Sequence, residues 1–227
     1  MSIKDFIKNP LSYTKSHVVQ FTHGAFPPSQ VGMQVAATMN NWGGAWTAEH
    51  HTMIPGQYTN FRFLEAGIML DGSSANQRIG KGSDAIHTVV PFQDGIDHGI
   101  RYLPWRADAV TYMSLDGAAK TFFTGPLSGC SIFIGKSGGT YWAFHANRNS
   151  SGTSDNAAVK ASMTTSVVTR LAAPVPIVCE AIYGRDYKNF GFVFGQVSSG
   201  KWSFYAADTK PLAKGGGHAV TTVRKLG

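Results

Sequence analysis

Ser131-Ile-Phe-Ile-Gly-Lys-Ser-Gly-Gly-Thr-Tyr-Trp-Ala-Phe-His145 is the stretch that decides how this chain is read. Ser131–Ile134 and Tyr141–Phe144 are β-branched and aromatic runs, and Lys136-Ser-Gly-Gly139 between them is turn material, so the segment reads as a β-hairpin. Thr124-Gly-Pro-Leu-Ser-Gly-Cys130 leads into it, and His145 ends its second strand. A two-residue turn at Ser137-Gly138 sets Lys136 against Gly139, Ile134 against Tyr141 and Ile132 against Ala143. Extending that ladder sets Cys130 opposite His145, with Cβ atoms about 4.5–5.5 Å apart on one sheet face. A turn at Gly138-Gly139 shifts the partner by two and leaves the pair diagonal on the same face. A three-residue turn without a bulge puts the two on opposite faces.

A lone cysteine at a glycine-rich strand entry, with a histidine on the neighbouring strand, is raw material for thiol chemistry. The thiolate is the nucleophile, and an imidazole within reach can take its proton and return it to a leaving amine. Gly129 lets the backbone bend and a substrate approach closely. Backbone N–H groups at Ser128, Gly129 and Cys130 can stabilise an oxyanion. Thr124 offers a hydroxyl and a carbonyl to orient the ring. The structural alternative is a Cys and a His that merely pack on adjacent strands.

The second cysteine, Cys179, sits in the apolar run Pro174-Val-Pro-Ile-Val-Cys-Glu-Ala-Ile182 and reads as a buried small hydrophobe. Two cysteines in 227 residues make no disulfide framework, so the expectation is two free thiols in a reducing compartment. The length and the 43% hydrophobic content suit one domain spanning residues 1–227. No apolar run reaches the length of a membrane span, and Met1–Pro10 lacks the apolar segment of a signal peptide. The expectation is a soluble monomer, cytoplasmic when made, that leaves its cell only by a signal-independent route. The net charge of +7 favours acidic partners, but the basic residues are scattered and no nucleic-acid signature is present. No nucleic acid and no membrane are therefore expected as partners.

Short β-rich segments recur at 17–22, 57–64, 87–92, 108–115, 131–134, 141–145, 190–197 and 202–206, with turn signals between them. Such spacing argues for a β-sandwich or a mixed sheet packed with few helices. Ser2–Lys8 can form a turn or two of helix, and Ala157–Leu171 fits either state. Asn147–Asn156 reads as an exposed loop bordering any site at His145.

Other motifs lead nowhere. Gly129 to Ser137 mimics a phosphate-binding loop but has the wrong glycine spacing, and no helix pattern follows it. His50-His51 and Asp94-Gly-Ile-Asp-His98 lack recognised ligand spacing, so no metal is expected. Lys214-Gly-Gly-Gly-His218 reads as a flexible loop. Asp94, Asp97 and Asp108 make no case for paired carboxylates.

Leu103-Pro-Trp-Arg106, Phe122-Phe-Thr124 and Leu127-Ser-Gly-Cys130, with Phe133 and Gly135, resemble the Burkholderia lethal factor type of glutamine deamidase. Tyr183-Gly-Arg-Asp186 extends the likeness. Leu-Ser-Gly-Cys with its downstream histidine is similar to the motif of the cytotoxic necrotising factor catalytic domains, and a Thr–Cys–His set recurs in the chemotaxis receptor deamidases. The resemblance covers roughly residues 103–145 and a patch around Tyr183, and the first hundred residues carry none. The Cys-to-His separation resembles that of the necrotising factors, whereas the lethal factor hairpin is shorter.

The resemblance implies an α+β fold, a β-sandwich of two mixed sheets with flanking helices and loops. It implies a Cys130–His145 pair supported by Thr124, with Leu127, Ser128 and Gly129 as the rest of the motif. The implied reaction is cofactor-free. Cys130 attacks the carboxamide of a protein glutamine, ammonia leaves, and water releases glutamate from a thioester. The target classes it suggests are a translation-initiation helicase and a small GTPase. Two other readings stay open: a thiol protease or amidase using the same dyad, and a non-catalytic binding protein that docks an acidic partner through its basic face.

Overall fold

A computed structural model describes residues 3–21, 34–39, 46–47, 60–66, 86–92, 99–103, 105, 109–125, 127–147, 156–169, 171, 173–211 and 218–227. His50-His51, Asp94, Asp97-His98, Asp108, most of the 147–156 loop and Lys214–Gly217 lie outside them. In chain order the elements are α1 (Ile3–Lys8), α2 (Pro10–Ser16), β1 (Val18–Phe21), β2 (Gln34–Met39), β3 (Trp46–Thr47), β4 (Asn60–Ala66), β5 (Ile86–Phe92), β6 (Ile100–Leu103) and β7 (Ala109–Leu115). They continue as β8 (Thr121–Thr124), β9 (Ser131–Ser137), β10 (Thr140–Ala146), α3 (Asn156–Val168), β11 (Ile177–Ile182), β12 (Phe190–Ser198), β13 (Lys201–Pro211) and β14 (His218–Leu226).

Two large sheets carry the fold, a six-stranded one in the order β11-β9-β10-β7-β2-β3 and a five-stranded one in the order β14-β13-β12-β8-β6. Period-two alternation gives each strand two faces with different partners. Ile132, Ile134, Ala143 and Ala181 of the first sheet meet Phe122, Val193, Phe204 and Ala206 of the second in one buried cluster. That cluster is the sandwich interior.

The intervening residues point outward and are covered by helices. Phe133, Phe144, Val110 and Tyr112 pack under Ala161 and Val168 of α3. Phe123, Phe194 and Tyr102 pack under Phe6 of α1 and Tyr13 of α2. The layers therefore run helix, sheet, sheet, helix. Each buried aromatic contributes about 1.5–3 kcal/mol by leaving water.

The α+β sandwich agrees with the expectation. The six-stranded sheet is antiparallel throughout. Mixed character belongs to the five-stranded sheet, through its parallel β6–β8 pair, and to a smaller sheet in the order β1-β5-β4. Local chemistry explains the helices. Asn9 caps α2 by accepting from Ser12 N at 3.1 Å, with Pro10 in the first turn. The ambiguous segment after residue 156 is helical, because its small and apolar residues cover the aromatic outer face of the six-stranded sheet.

The hairpin register differs from the first expectation. The turn is Gly138-Gly139, so Ser137 pairs with Thr140, Ile134 with Ala143 and Ile132 with His145. Gly138 and Gly139 both have positive φ, 53° and 88°. A two-residue hairpin turn of this hand needs positive φ at both central residues, which two glycines supply and Ser137-Gly138 does not. Lys136 therefore faces Tyr141 rather than Gly139. Cys130 is diagonal to His145 on the same face, not directly opposite it.

Candidate active site around Cys130

Cys130 stands one residue before β9, at the end of a short loop tied down on both sides. Leu127 exchanges two backbone hydrogen bonds with Gly191 at the start of β12, at 2.7 and 3.0 Å. Gly129 then turns the chain with φ +96°, a conformation that disfavours any side chain, although a Cβ there would meet nothing within 4 Å. Lys160 on α3 donates from Nζ to the Gly129 carbonyl. The Tyr187 hydroxyl donates to the Cys130 carbonyl at 2.6 Å. Burial holds that phenol well above its ordinary pKa, so it stays a donor.

The residue that meets the sulfur is Asn147. Its Nδ2 donates to Cys130 Sγ at 3.1 Å. The ladder places it there, because Ser131 pairs with Ala146 and the next step outward sets Cys130 against Asn147. Burial pushes the Cys130 thiol up. The backbone N–H groups of Ser128 and of Cys130 itself, the Lys160 ammonium and the Asn147 amide all pull it back down. Cys130 is 3% exposed, whereas the preceding Ser128 is exposed and Gly129 is half-buried.

His145 is fully buried, and among the described residues neither of its ring nitrogens has a hydrogen-bond partner. Burial drives its pKa from 6.5 down to about 3. The Leu103 carbonyl opposes that shift without reaching hydrogen-bond geometry, and Lys160 reinforces it. The ring is neutral, and the same burial that keeps it so opposes its protonation.

Thr124 is also buried on β8, but its Oγ1 accepts from Val193 N at 2.9 Å, and no hydrogen bond joins it to His145. The carbonyl that the imidazole senses belongs to Leu103, the partner of Thr124 across the parallel β6–β8 pair. Leu103 O already accepts from Gly125 N at 2.8 Å.

Tyr183–Asp186 forms a tight turn after β11. Asp186 N bonds Ile182 O, and the Asp186 carboxylate accepts from Ile182 N, both at 2.8 Å. Arg185 braces the turn through Asp186 and Glu180. Its connection to the site is indirect: it delivers Tyr187 to the Cys130 carbonyl. Cys179 is a free, half-buried thiol packed against the sandwich core, and burial together with Glu180 pushes it up to about 11. Among the described residues no cluster of three or more His, Cys, Asp or Glu is placed to hold a metal ion.

Sequence reading placed Cys130, His145 and Thr124 in this region but missed Asn147, Lys160 and Tyr187. The Gly138-Gly139 register, once chosen, points to Asn147. Lys160 is the only charged residue of Asn156–Val168, a visible oddity in a helix of small and apolar residues. Tyr187 carries no sequence signal.

No family model matches the chain. No curated protein matches it. Among solved structures, the C-terminal domain of CNFy from Yersinia pseudotuberculosis is similar at a TM-score of 0.43 and 10% identity, over 85% of this chain and 86% of that one. At that score and identity the likeness defines neither a family nor an activity.

Proposed function

We propose that this protein is a cysteine-dependent protein-glutamine deamidase, a toxin-like or effector enzyme with Cys130 as nucleophile and His145 as proton shuttle. The observation that carries the reading is a buried thiol hydrogen-bonded by Asn147, with a neutral imidazole two residues before Asn147 on the same sheet face and without a hydrogen-bond partner among the described residues. The Leu127-Ser-Gly-Cys130 motif supports the choice of a side-chain amide as substrate.

In the reaction Cys130 attacks the glutamine carboxamide carbon while its proton passes to His145. The tetrahedral oxyanion forms beside the Ser128 and Cys130 N–H groups. Collapse expels ammonia, which takes the proton from His145 and leaves a thioester. Water, deprotonated by the same ring, then releases glutamate and the thiol. Each proton removed is returned, and no cofactor enters the balance. Thr124 serves by fixing β8 to β12, and Tyr187 by fixing the loop.

The burial of Cys130 and His145 favours one competing reading, a non-catalytic binding protein with a closed core thiol. Peptide mass spectrometry of host-cell proteins, after incubation with wild type and with Cys130→Ser, separates the two. Glutamine-to-glutamate conversion by wild type alone supports the deamidase. Cys130-dependent backbone cleavage replaces it with a protease. No change across the lysate, from folded protein, leaves the binding protein.

A further inference from the structure

The thiol of Cys130 needs a counter-charge when it ionises, and His145 is poorly placed to supply it. The ring is wholly enclosed and has no hydrogen-bond partner among the described residues, so an imidazolium there is costly. A different cation stands beside the loop. Lys160 is buried on α3, and its ammonium donates to the carbonyl of Gly129, whose peptide bond leads directly to the Cys130 nitrogen. We propose that Lys160 is the positioning residue of this site, acting as the counter-charge of the Cys130 thiolate and as the anchor that aims the Cys130 N–H. The inference rests on Cys130 being the nucleophile of the proposed deamidase.

The C=O and N–H of a trans peptide point in opposite directions. With the Gly129 carbonyl held by Lys160, the Cys130 N–H is turned away from α3 and towards its own sulfur, where an oxyanion forms. Tyr187 holds the next carbonyl, so both peptides flanking Cys130 are fixed by buried donors. A buried ammonium one peptide unit from the sulfur also acts through a medium that screens it weakly. The same charge favours the thiolate and disfavours a lasting imidazolium. The proton therefore resides on His145 only in transit between the thiol and the leaving amine.

Among the described residues, the titratable groups that act on the thiol are Lys160 from α3 and Tyr187 from the turn before β12, while His145 of β10 lies diagonal to it on the same sheet face. Lys160 is the cation among them, and its charge pulls the thiol down. The test compares iodoacetamide alkylation of Cys130 from pH 6 to pH 10 in a Cys179→Ala background, and it needs no protein target. Lys160→Met is expected to slow the reaction at neutral pH by about tenfold or more and to move its midpoint upward. Lys160→Arg restores most of the rate. His145→Ala changes it by less than about threefold, while abolishing glutamine conversion.

An unchanged profile in Lys160→Met, or a loss in His145→Ala as large as that in Lys160→Met, overturns the proposal. Should Lys160→Met not fold, the Lys160 Cε signal of the otherwise unaltered protein is followed by NMR against pH. A step shared with the Cys130 titration and missing in Cys130→Ser supports the pairing, and a flat response overturns it. Absent glutamine conversion with an intact Lys160 effect counts against the deamidase and not against this pairing.

Discussion

Asn147 faces Cys130 at the open end of the β9–β10 hairpin, and its amide reaches the sulfur at 3.1 Å. The contact is set at the other end of the hairpin, where Gly138-Gly139 forms the turn and fixes the register of every pair behind it. Hydrogen bonds to charged groups contribute about 1.5–3 kcal/mol. Asn147→Leu should therefore lower the neutral-pH alkylation rate of Cys130 by about tenfold or more, with Tm little changed. Asn147→Asp should lower it further, because a carboxylate opposes the thiolate. Stopped-flow alkylation kinetics of the two variants check both statements.

Tyr187→Phe removes the donor to the Cys130 carbonyl and little else, since the ring remains in the sandwich core. A buried acceptor left unsatisfied costs about 1–3 kcal/mol. Urea unfolding should show that loss in the midpoint at an unchanged slope. Glutamine conversion should fall as well, because the loop carrying the nucleophile loses one of its two carbonyl anchors.

Two glycines of the site separate strain from clash. A Cβ at Gly191 would lie 2.5 Å from the Ala207 carbonyl oxygen and 3.1 Å from the Tyr187 ring, so Gly191→Ala should destabilise the fold by about 1–3 kcal/mol and displace Tyr187. A Cβ at Gly129 meets nothing, and the cost of Gly129→Ala lies in its positive φ, about 1–2 kcal/mol. Gly129→Ala should therefore lose more activity per unit of lost stability than Gly191→Ala. Paired measurements of conversion rate and unfolding free energy test the contrast.

Stability should fall in acid partly through His145. Its folded pKa, about 3, lies below the unfolded value of 6.5. Below pH 6.5 the unfolded chain therefore binds the proton that the native ring refuses, and stability rises with pH across that window. The contribution is complete above pH 6.5 and is lost progressively down to about pH 3, amounting to about 2 kcal/mol by pH 5. Comparing unfolding free energies at pH 7 and pH 5 in wild type and His145→Gln isolates it, and the variant should show the smaller drop.

The hairpin and its thiol were legible because alternation, β-branching and the cysteine–histidine spacing are all local. The turn was not fixed by those signals, since Ser137-Gly138 and Gly138-Gly139 both look like turn residues and only the need for two positive φ values separates them. Strands β6 and β8 carry little local signal, because Ile100–Leu103 and Thr121–Thr124 are buried at every position and show no alternation. Lys160 and Tyr187 reach Cys130 from residues 30 and 57 positions further along the chain, and such contacts exist only once the sandwich closes. The role expected of Thr124 illustrates the same limit. Its hydroxyl is spent on Val193 of β12, a strand visible in the sequence whose pairing with β8 is not.

A thioester on Cys130 is the chemical commitment from which the rest follows, and a primary amine can intercept it in place of water. The most direct test incubates host-cell proteins with the enzyme and a biotin-tagged primary amine, then maps the tag by peptide mass spectrometry. Tag is expected on glutamine side chains with wild type, and none with Cys130→Ser or His145→Ala. Tag that persists undiminished in Cys130→Ser, or no tag and no glutamine conversion from folded wild type, would contradict it.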